Sequence, residues 1–192
     1  MSHQQPAEPG CACRSRRRFL RCLAIGLPAV AVSRGVRAVD DCCELRKLHL
    51  INTHTGEELE ARYFEGGAYL PDRLGALDWL LRDHRTGDIH PIEPRLLDLL
   101  HELAVTAGRE PHYEVISGYR SPATNAMLAA STDGVSSRSL HMEGRALDVR
   151  LVGFPTIEFR DLALARQAGG VGYYPVPDFV HLDTGSVRGW SG

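Results

Sequence analysis

The chain is poor in lysine: Lys47 is the only one, and arginine supplies the other basic residues. It has no basic patch interleaved with aromatic side chains, the usual footprint of a nucleic-acid-binding surface, so we expect no nucleic-acid partner. It has no internal repeat and no low-complexity tract. With 43% hydrophobic and 24% charged residues, its composition is that of an ordinary globular protein.

Familiar metal and thiol motifs are also missing. The sequence has no His-Glu-x-x-His pair and no zinc-finger spacing. Of its five cysteines, only Cys42 and Cys43 lie beyond residue 38. Neighbouring cysteines form a strained disulfide, and nothing nearby completes a thiolate metal site. No catalytic cysteine is therefore expected, while free, intermolecularly paired or trimmed states of Cys42 and Cys43 all stay open.

No apolar run reaches the length of about 20 residues that a membrane-spanning helix needs. Residues 15–21 instead match the twin-arginine export pattern, and a short apolar run over residues 22–32 follows. Small residues ending at Ala38 predict cleavage there. We therefore predict a twin-arginine signal peptide over residues 1–38 and a mature periplasmic domain over residues 39–192 with no stable membrane span. The alternative is the basic amphipathic N-terminus of a cytosolic protein.

Loss of this leader changes the charge balance. Residues 1–38 hold seven of the 22 basic and one of the 24 acidic residues, so the mature chain carries a net charge of about −8. Such a chain disfavours tight electrostatic binding to anionic lipid. The sequence decides neither whether the leader is kept as an anchor nor the oligomeric state.

Hydrophobic periodicity predicts an α+β fold, in which helices pack on a small antiparallel sheet that carries the functional site. The first element is a hairpin over residues 44–61 around a polar turn with a glycine. Helices are predicted from Pro71 and over residues 92–108, 123–130 and 156–168. Further strands are predicted at residues 112–117, 146–151 and 179–183.

Two of these strands have an alternation that fixes which residues share a face. Asp148 lies on the face opposite Leu147, Val149 and Leu151, and His181 lies on the face opposite Val180 and Leu182. Such strands can present both side chains to one cavity, which His141, just before the first strand, can complete. Two imidazoles and one carboxylate suit a catalytic zinc with one position left for water. The alternative is ordinary: hydrogen-bonded or surface histidines, and an aspartate in a turn or salt bridge.

The same region carries a family resemblance. Residues 139–148 read S-x-H-x-x-G-x-A-x-D, residues 117–121 read S-G-Y-R-S, and His181 follows later. This pattern resembles the D-alanyl-D-alanine metallopeptidase family, which includes zinc carboxypeptidases, vancomycin-resistance dipeptidases and hedgehog-type domains. With residues 69–71 and 170–185 added, the chain is more closely similar to a branch of periplasmic murein endopeptidases long catalogued as a domain of unknown function.

The resemblance implies one zinc ion per chain, held by His141, Asp148 and His181. It implies that Arg120 lies near the scissile carbonyl, where a fixed cation stabilises developing negative charge, although a structural salt bridge is the alternative. It also implies that Ser139 lies close to the amino end of the substrate.

The resemblance further implies a catalytic base three residues before the last ligand, and that residue is Asp178. Dipeptidases of the family have the longer glutamate there, and some members have a histidine where this chain has Phe179. Asp183 is the rival, because it shares a strand face with His181 and could orient that imidazole instead. Glu143 is a third candidate.

Tyr173 is expected to line the substrate groove with Tyr174, unless these residues pack in the core.

The implied function is a zinc-dependent murein endopeptidase acting on peptidoglycan stem peptides, and specifically on the 3–3 cross-link between two meso-diaminopimelate residues. The alternatives are a D-alanyl-D-alanine carboxypeptidase and a zinc-containing domain that binds peptidoglycan without catalysis. The sequence alone does not distinguish 3–3 from 4–3 cross-links, and it names no accessory partner.

Overall fold

The computed structural model describes residues 44–131 and 136–192. The predicted signal peptide over residues 1–38 lies outside them, as do Cys42 and Cys43. Among the described residues, no helix is both long enough and apolar enough to cross a membrane.

The described residues form strands that join one sheet, together with helices and one short 3₁₀ turn. In chain order they are β1 (Arg46–Asn52), β2 (Glu58–Glu65), β3 (Ala68–Tyr69), α1 (Pro71–Leu80), α2 (Pro94–Thr106), β4 (His112–Ser117), α3 (Pro122–Ser131), the 3₁₀ turn (Leu140–Glu143), β5 (Ala146–Leu151), α4 (Thr156–Arg166), β6 (Gly170–Tyr174), β7 (Phe179–Asp183) and β8 (Arg188–Ser191). The strand order across the sheet is β3-β2-β1-β4-β5-β7-β6-β8.

The α+β class is confirmed, but the sheet is larger than expected and it is mixed. β1 pairs in parallel with β4, because the chain passes through α1 and α2 before it returns to the sheet. β8 pairs in parallel with β6, on the side of β6 away from β7. The remaining pairs are antiparallel.

Prolines stand at the starts of two of the predicted helices. Pro71 and Pro94 stand at the first positions of α1 and α2, where a missing N–H costs no helical hydrogen bond. The leucines of α2 are buried as their spacing predicts. Trp79 of α1 is an exception to its predicted apolar face: it is 53% exposed and lies under the guanidinium of Arg82.

The sheet has two different faces. One is packed by α1, α2 and α4, and its strand residues, such as Leu48, Leu147 and Leu182, are fully buried in a single core. Each such leucine contributes about 1.5–3 kcal/mol relative to an exposed one. The opposite face, here called the open face, carries Asp148 and His181.

Candidate metal centre

Strand pairing places two of the predicted ligands side by side. Asp148 of β5 lies directly opposite His181 of β7 in the antiparallel register. Facing residues on one side of such a pair have Cβ atoms about 5 Å apart, so their polar ends can meet. Both side chains lie on the open face, as the alternation predicts.

The 3₁₀ turn before β5 brings in the third residue. Ser139 precedes the turn and its hydroxyl accepts a 3.4 Å hydrogen bond from the backbone N–H of His141. Gly144 ends the turn with φ +64°, and a Cβ at that position would overlap the carbonyl of Pro91. Glycine is therefore required both for the backbone conformation and for the close approach.

The three side chains converge on one point. His141 Nε2 lies 3.2 Å from His181 Nδ1 and 3.4 Å from Asp148 Oδ1, and the last two atoms are 2.8 Å apart. Ligands at about 2.0–2.1 Å from a tetrahedral zinc are separated by roughly 3.3 Å, so this triangle is close to the size that zinc requires. Among the described residues, this is the one His/Cys/Asp/Glu group of that kind. We call it the HDH cluster.

The outer nitrogens of both rings have acceptors that set the tautomers. His141 Nδ1 donates to the carbonyl of Gly118 at 2.8 Å, and His181 Nε2 donates to Asp183 Oδ2 at 3.1 Å. The inner nitrogens of the neutral rings then carry lone pairs, and two lone pairs facing each other are favourable only around a cation. Hydrogen bonds to the outer nitrogens also orient ligating imidazoles. The residues present therefore fit a bound metal.

The electrostatics of the HDH cluster agree with its geometry. Burial alone raises the pKa of Asp148, but the two imidazoles hold it well below its usual range. Burial alone lowers the pKa of His181, but hydrogen bonds to Asp148 and Asp183 raise it to about 9. The carboxylate is thus ionised, and a proton competes with a cation for the His181 ring.

Asp183 is fully buried beneath His181. It accepts hydrogen bonds from the backbone N–H groups of Gly170 and Gly185, and it pairs with Arg188 at 2.6 Å. Burial raises its pKa, but these partners and His181 together lower it well below the usual range. This carboxylate is surrounded by donors and holds the His181 ring in place.

Arg120 lies beside the HDH cluster, in the loop that follows β4. Its Nη2 is 3.8 Å from Asp148 Oδ2, and its hydrogen bonds to Asn125 and Ser117 are long, at 3.4 Å each. Its Nε is buried and has no partner among the described residues. Burial lowers the pKa of Arg120, and Asp148 and Tyr174 oppose that effect. Its charge is thus incompletely neutralised and available to another group.

Asp178 is not in contact with the HDH cluster. It lies in the turn before β7 with φ +54°, and its carboxylate accepts a hydrogen bond from Thr156 at the start of α4. Arg150 binds the backbone carbonyl of Asp178, and the Asp178 side chain is 60% exposed. The left-handed backbone turns the side chain toward α4, a direction that strand periodicity does not predict.

Two other sequence-predicted residues are also set apart from the HDH cluster. Tyr173 pairs with Val180, so it lies on the core face, where Arg160 of α4 covers its ring at 5.0 Å. Of the two possibilities left open for Tyr173, the groove and the core, its position favours the core, and Tyr174 is the tyrosine on the open face. Glu143 is exposed and pairs with Arg145.

Sequence reasoning missed Arg188 and Trp190. Both lie on β8, a short strand containing Gly189 whose residues do not alternate between apolar and polar. Their own sequence carries no strand signal, and only the pairing with β6 brings them to the open face.

Comparison with known proteins adds independent information. The family model for peptidoglycan L,D-endopeptidase MepK, a peptidase family M15 model, matches residues 40–190. Peptidoglycan L,D-endopeptidase MepK of Escherichia coli K12 is 39% identical over 176 residues, which cover 92% of this chain and 97% of the relative. The probable peptidoglycan L,D-endopeptidase MepK of Haemophilus influenzae is 37% identical over 180 residues, covering 93% and 97%. No solved structure gives a significant match.

Proposed function

The chain belongs to the peptidoglycan L,D-endopeptidase MepK family, and from this premise we propose that it is a zinc-dependent murein endopeptidase of the periplasm. Its substrates are the stem peptides of peptidoglycan. The single observation that supports the metal is the HDH cluster, in which three inward-facing donor atoms lie 2.8–3.4 Å apart. Three protein ligands with a free fourth position are typical of catalytic zinc rather than structural zinc.

A zinc ion bound there would lower the pKa of a water molecule and polarise the scissile carbonyl. Arg120 supplies a second positive charge next to the same position, and it stabilises the negative charge that develops on the carbonyl oxygen. Its buried Nε, which has no partner within residues 44–131 and 136–192, and its long hydrogen bonds support this role. Ser139, partly exposed at the start of the 3₁₀ turn, contacts the amino end of the substrate.

Of the two candidate bases, Asp178 is the one whose carboxylate is accessible to water, because Asp183 is fully buried among donors. We assign the proton transfer to Asp178 and the positioning of His181 to Asp183. For its role, Asp178 must leave Thr156 and rotate around the end of β7 toward the HDH cluster. Such movements are compatible with general-base catalysis, since apo geometry often tightens only when the substrate binds.

The names of the relatives support the choice of bond. An L,D-endopeptidase cleaves a peptide bond between an L centre and a D centre, and the 3–3 cross-link between two meso-diaminopimelate residues is such a bond. The 4–3 cross-link and the D-alanyl-D-alanine terminus are instead D,D bonds. The 3–3 cross-link is thus our proposed substrate. Export by the twin-arginine route, with cleavage after Ala38, is proposed from the leader sequence.

The test is a digest of purified murein that contains both kinds of cross-link, with zinc-loaded protein and with chelator-treated protein. We expect 3–3 dimers to disappear only in the presence of metal, with 4–3 dimers unchanged. Release of terminal D-alanine alone would make the protein a carboxypeptidase. Retention of zinc with no cleavage would indicate a peptidoglycan-binding domain.

A matched pair of variants tests the assigned base. Asp178→Asn should lower kcat by about 10²–10⁴-fold, the usual contribution of a general base. Asp161→Asn is the control, because Asp161 is an exposed aspartate that pairs only with the neighbouring Arg160 among the described residues. Equal activity of the two variants would remove Asp178 from the mechanism.

A further inference from the structure

Three aromatic side chains lie on the open face beside the HDH cluster. They are Tyr174 of β6, Phe179 of β7 and Trp190 of β8, and all three are partly exposed. We call them the aromatic wall. The apolar core lies on the opposite face of the sheet, so burial in that core does not explain them.

Trp190 reaches the cluster across a glycine. Gly172 of β6 pairs with His181 on one side and with Trp190 on the other. A Cβ on Gly172 would lie 2.5 Å from Trp190 Cε2, so the indole occupies the space above the Gly172 backbone. Its ring centroid is 5.2 Å from that of His181. Trp190 therefore borders the proposed metal site directly.

The orientation of the aromatic wall is fixed by its contacts. Trp190 Nε1 donates to the Tyr174 hydroxyl at 3.0 Å, and the Tyr174 ring stacks on Phe179 at 4.6 Å. The guanidinium of Arg188 lies 5.0 Å from the Trp190 ring centroid and is itself bound to Asp183. Since the indole N–H and the Arg188 charge are already paired, the wall offers apolar surface to a ligand.

Trp190 of the aromatic wall and Arg120 lie on opposite sides of the HDH cluster. Arg120 follows β4, Trp190 lies on β8, and the cluster residues of β5 and β7 are between them in the strand order. A peptide whose carbonyl points at Arg120 would therefore extend one of its side chains along the wall.

We propose that the aromatic wall is the subsite for the aliphatic chain of the diaminopimelate residue that supplies the carbonyl of the scissile bond. The proposal rests on the murein endopeptidase function above and deepens it. Binding sites hold apolar parts of a ligand against aromatic side chains and leave orientation to a few polar groups, and here those groups are Arg120 and the HDH cluster. The wall discriminates a diamino acid from a residue with a short side chain.

The chain contains two tryptophans, which makes the subsite directly observable. Trp79 lies on α1, which packs against the other face of the sheet, so a Trp79→Phe background leaves Trp190 as the one indole emitter. The full-length, zinc-loaded protein is titrated with a stem tripeptide that ends in meso-diaminopimelate and, separately, with the same peptide ending in alanine. We expect a saturable shift of the Trp190 emission that needs about tenfold more of the alanine peptide.

Kinetics supply the second readout. Trp190→Leu should lower kcat/KM on 3–3 dimers by about 10- to 100-fold, mostly through KM, because it removes apolar contact of more than one methylene. Trp79→Phe should leave kcat/KM unchanged. Zinc affinity should be the same in both variants, since neither residue is a ligand. An equal fall in zinc affinity and in kcat/KM for Trp190→Leu would instead make Trp190 a positioning residue for His181, and it would overturn the subsite.

The two proposals fail in different ways. If the wild-type protein cleaves no murein but the diaminopimelate peptide still shifts the Trp190 emission, the hydrolase function is wrong and the subsite stands. If 3–3 dimers are cleaved and Trp190→Leu is as active as the wild type, the function stands and the subsite is wrong. The subsite is also wrong if calorimetry shows that the diaminopimelate peptide binds and the Trp190 emission does not change.

Discussion

The two faces of the sheet are held by different interactions even though the same strands form both. On the core face, Leu147 of β5 and Leu182 of β7 are fully buried against helices. On the open face, their neighbours Asp148 and His181 are also shielded, but by other polar groups that pair with them. Stability thus depends on apolar packing on one face, and chemistry depends on polar pairing on the other. A substitution on one face should leave the property of the other largely intact.

The largest expected effect comes from removing one donor of the HDH cluster. His141→Ala should abolish stoichiometric zinc binding and lower activity by about a thousandfold or more, because a catalytic metal contributes several kcal/mol. Mass spectrometry of the dialysed protein measures the zinc content, and the murein digest measures the activity. His54→Ala, at the exposed β1–β2 turn, is the matched control. Full zinc content in His141→Ala would contradict the ligand assignment.

The core face should respond in the opposite way. Leu147→Ala, one position before Asp148, should lower the free energy of unfolding by about 2–5 kcal/mol through the cavity it creates. The fraction that remains folded should bind zinc as the wild type does. Denaturant unfolding measures the free energy of unfolding, and zinc titration of the same sample measures the zinc affinity. A large loss of zinc affinity with unchanged stability would mean that the two faces are not separable.

The two aspartates near the ends of β7 should differ in their effect on zinc binding. Asp183→Asn should weaken zinc binding by about 10- to 100-fold, because the amide holds the His181 ring less well than the carboxylate does. Asp178→Asn should leave zinc affinity unchanged, since Asp178 contacts Thr156 and Arg150 and not the HDH cluster. Competition with a chelating dye measures both affinities. Equal losses would show that the two carboxylates do not have separate roles.

The smallest effect concerns Asp83, which joins the helix layer to the Arg120 loop. Burial alone raises its pKa, but hydrogen bonds from Thr124 and from the N–H groups of Ser121 and Arg85 lower it well below the usual range. A carboxyl with a lowered folded pKa stabilises the protein above its ordinary pKa, and this contribution is lost as the pH falls. Asp83→Asn should therefore cost about 1–3 kcal/mol near neutral pH.

The pH dependence distinguishes that explanation from a general loss of packing. The stability difference between the wild type and Asp83→Asn should shrink as the pH falls below about 4, because the carboxyl of the unfolded chain then takes up a proton while the folded carboxylate is still ionised. Urea unfolding at a series of pH values measures it. A difference that is independent of pH would show that the charge of Asp83 does not contribute.

The sequence was most informative where side chains alternate clearly. The positions of Asp148 and His181 on one face follow from the buried leucines and valines beside them, and Pro71 and Pro94 mark where helices start. The faces of β6 could not be predicted in this way, because Gly170 and Gly172 have no side chain to mark a face. For that reason Tyr173 and Tyr174 were both expected at the groove, whereas only Tyr174 lies on the open face.

Other features depend on long-range pairing that a local pattern does not contain. Trp190 reaches the open face only because β8 adds beside β6, and nothing within its own strand predicts this. The direction of the Asp178 side chain follows from a positive φ in a turn and from a hydrogen bond to α4. The buried environment of Asp183 likewise requires Arg188 to fold back from β8.

The pairing of β5 with β7 has a further consequence for how the protein resists unfolding. His181 lies 33 residues beyond Asp148, on a strand in the interior of the sheet. A metal ion held by both would be a cross-link that closes this long loop, and it would act chiefly by restricting the unfolded chain. Removal of the metal ion would then make the segment from α4 to β7 open faster and would make it easier to proteolyse, even where the two strands remain paired.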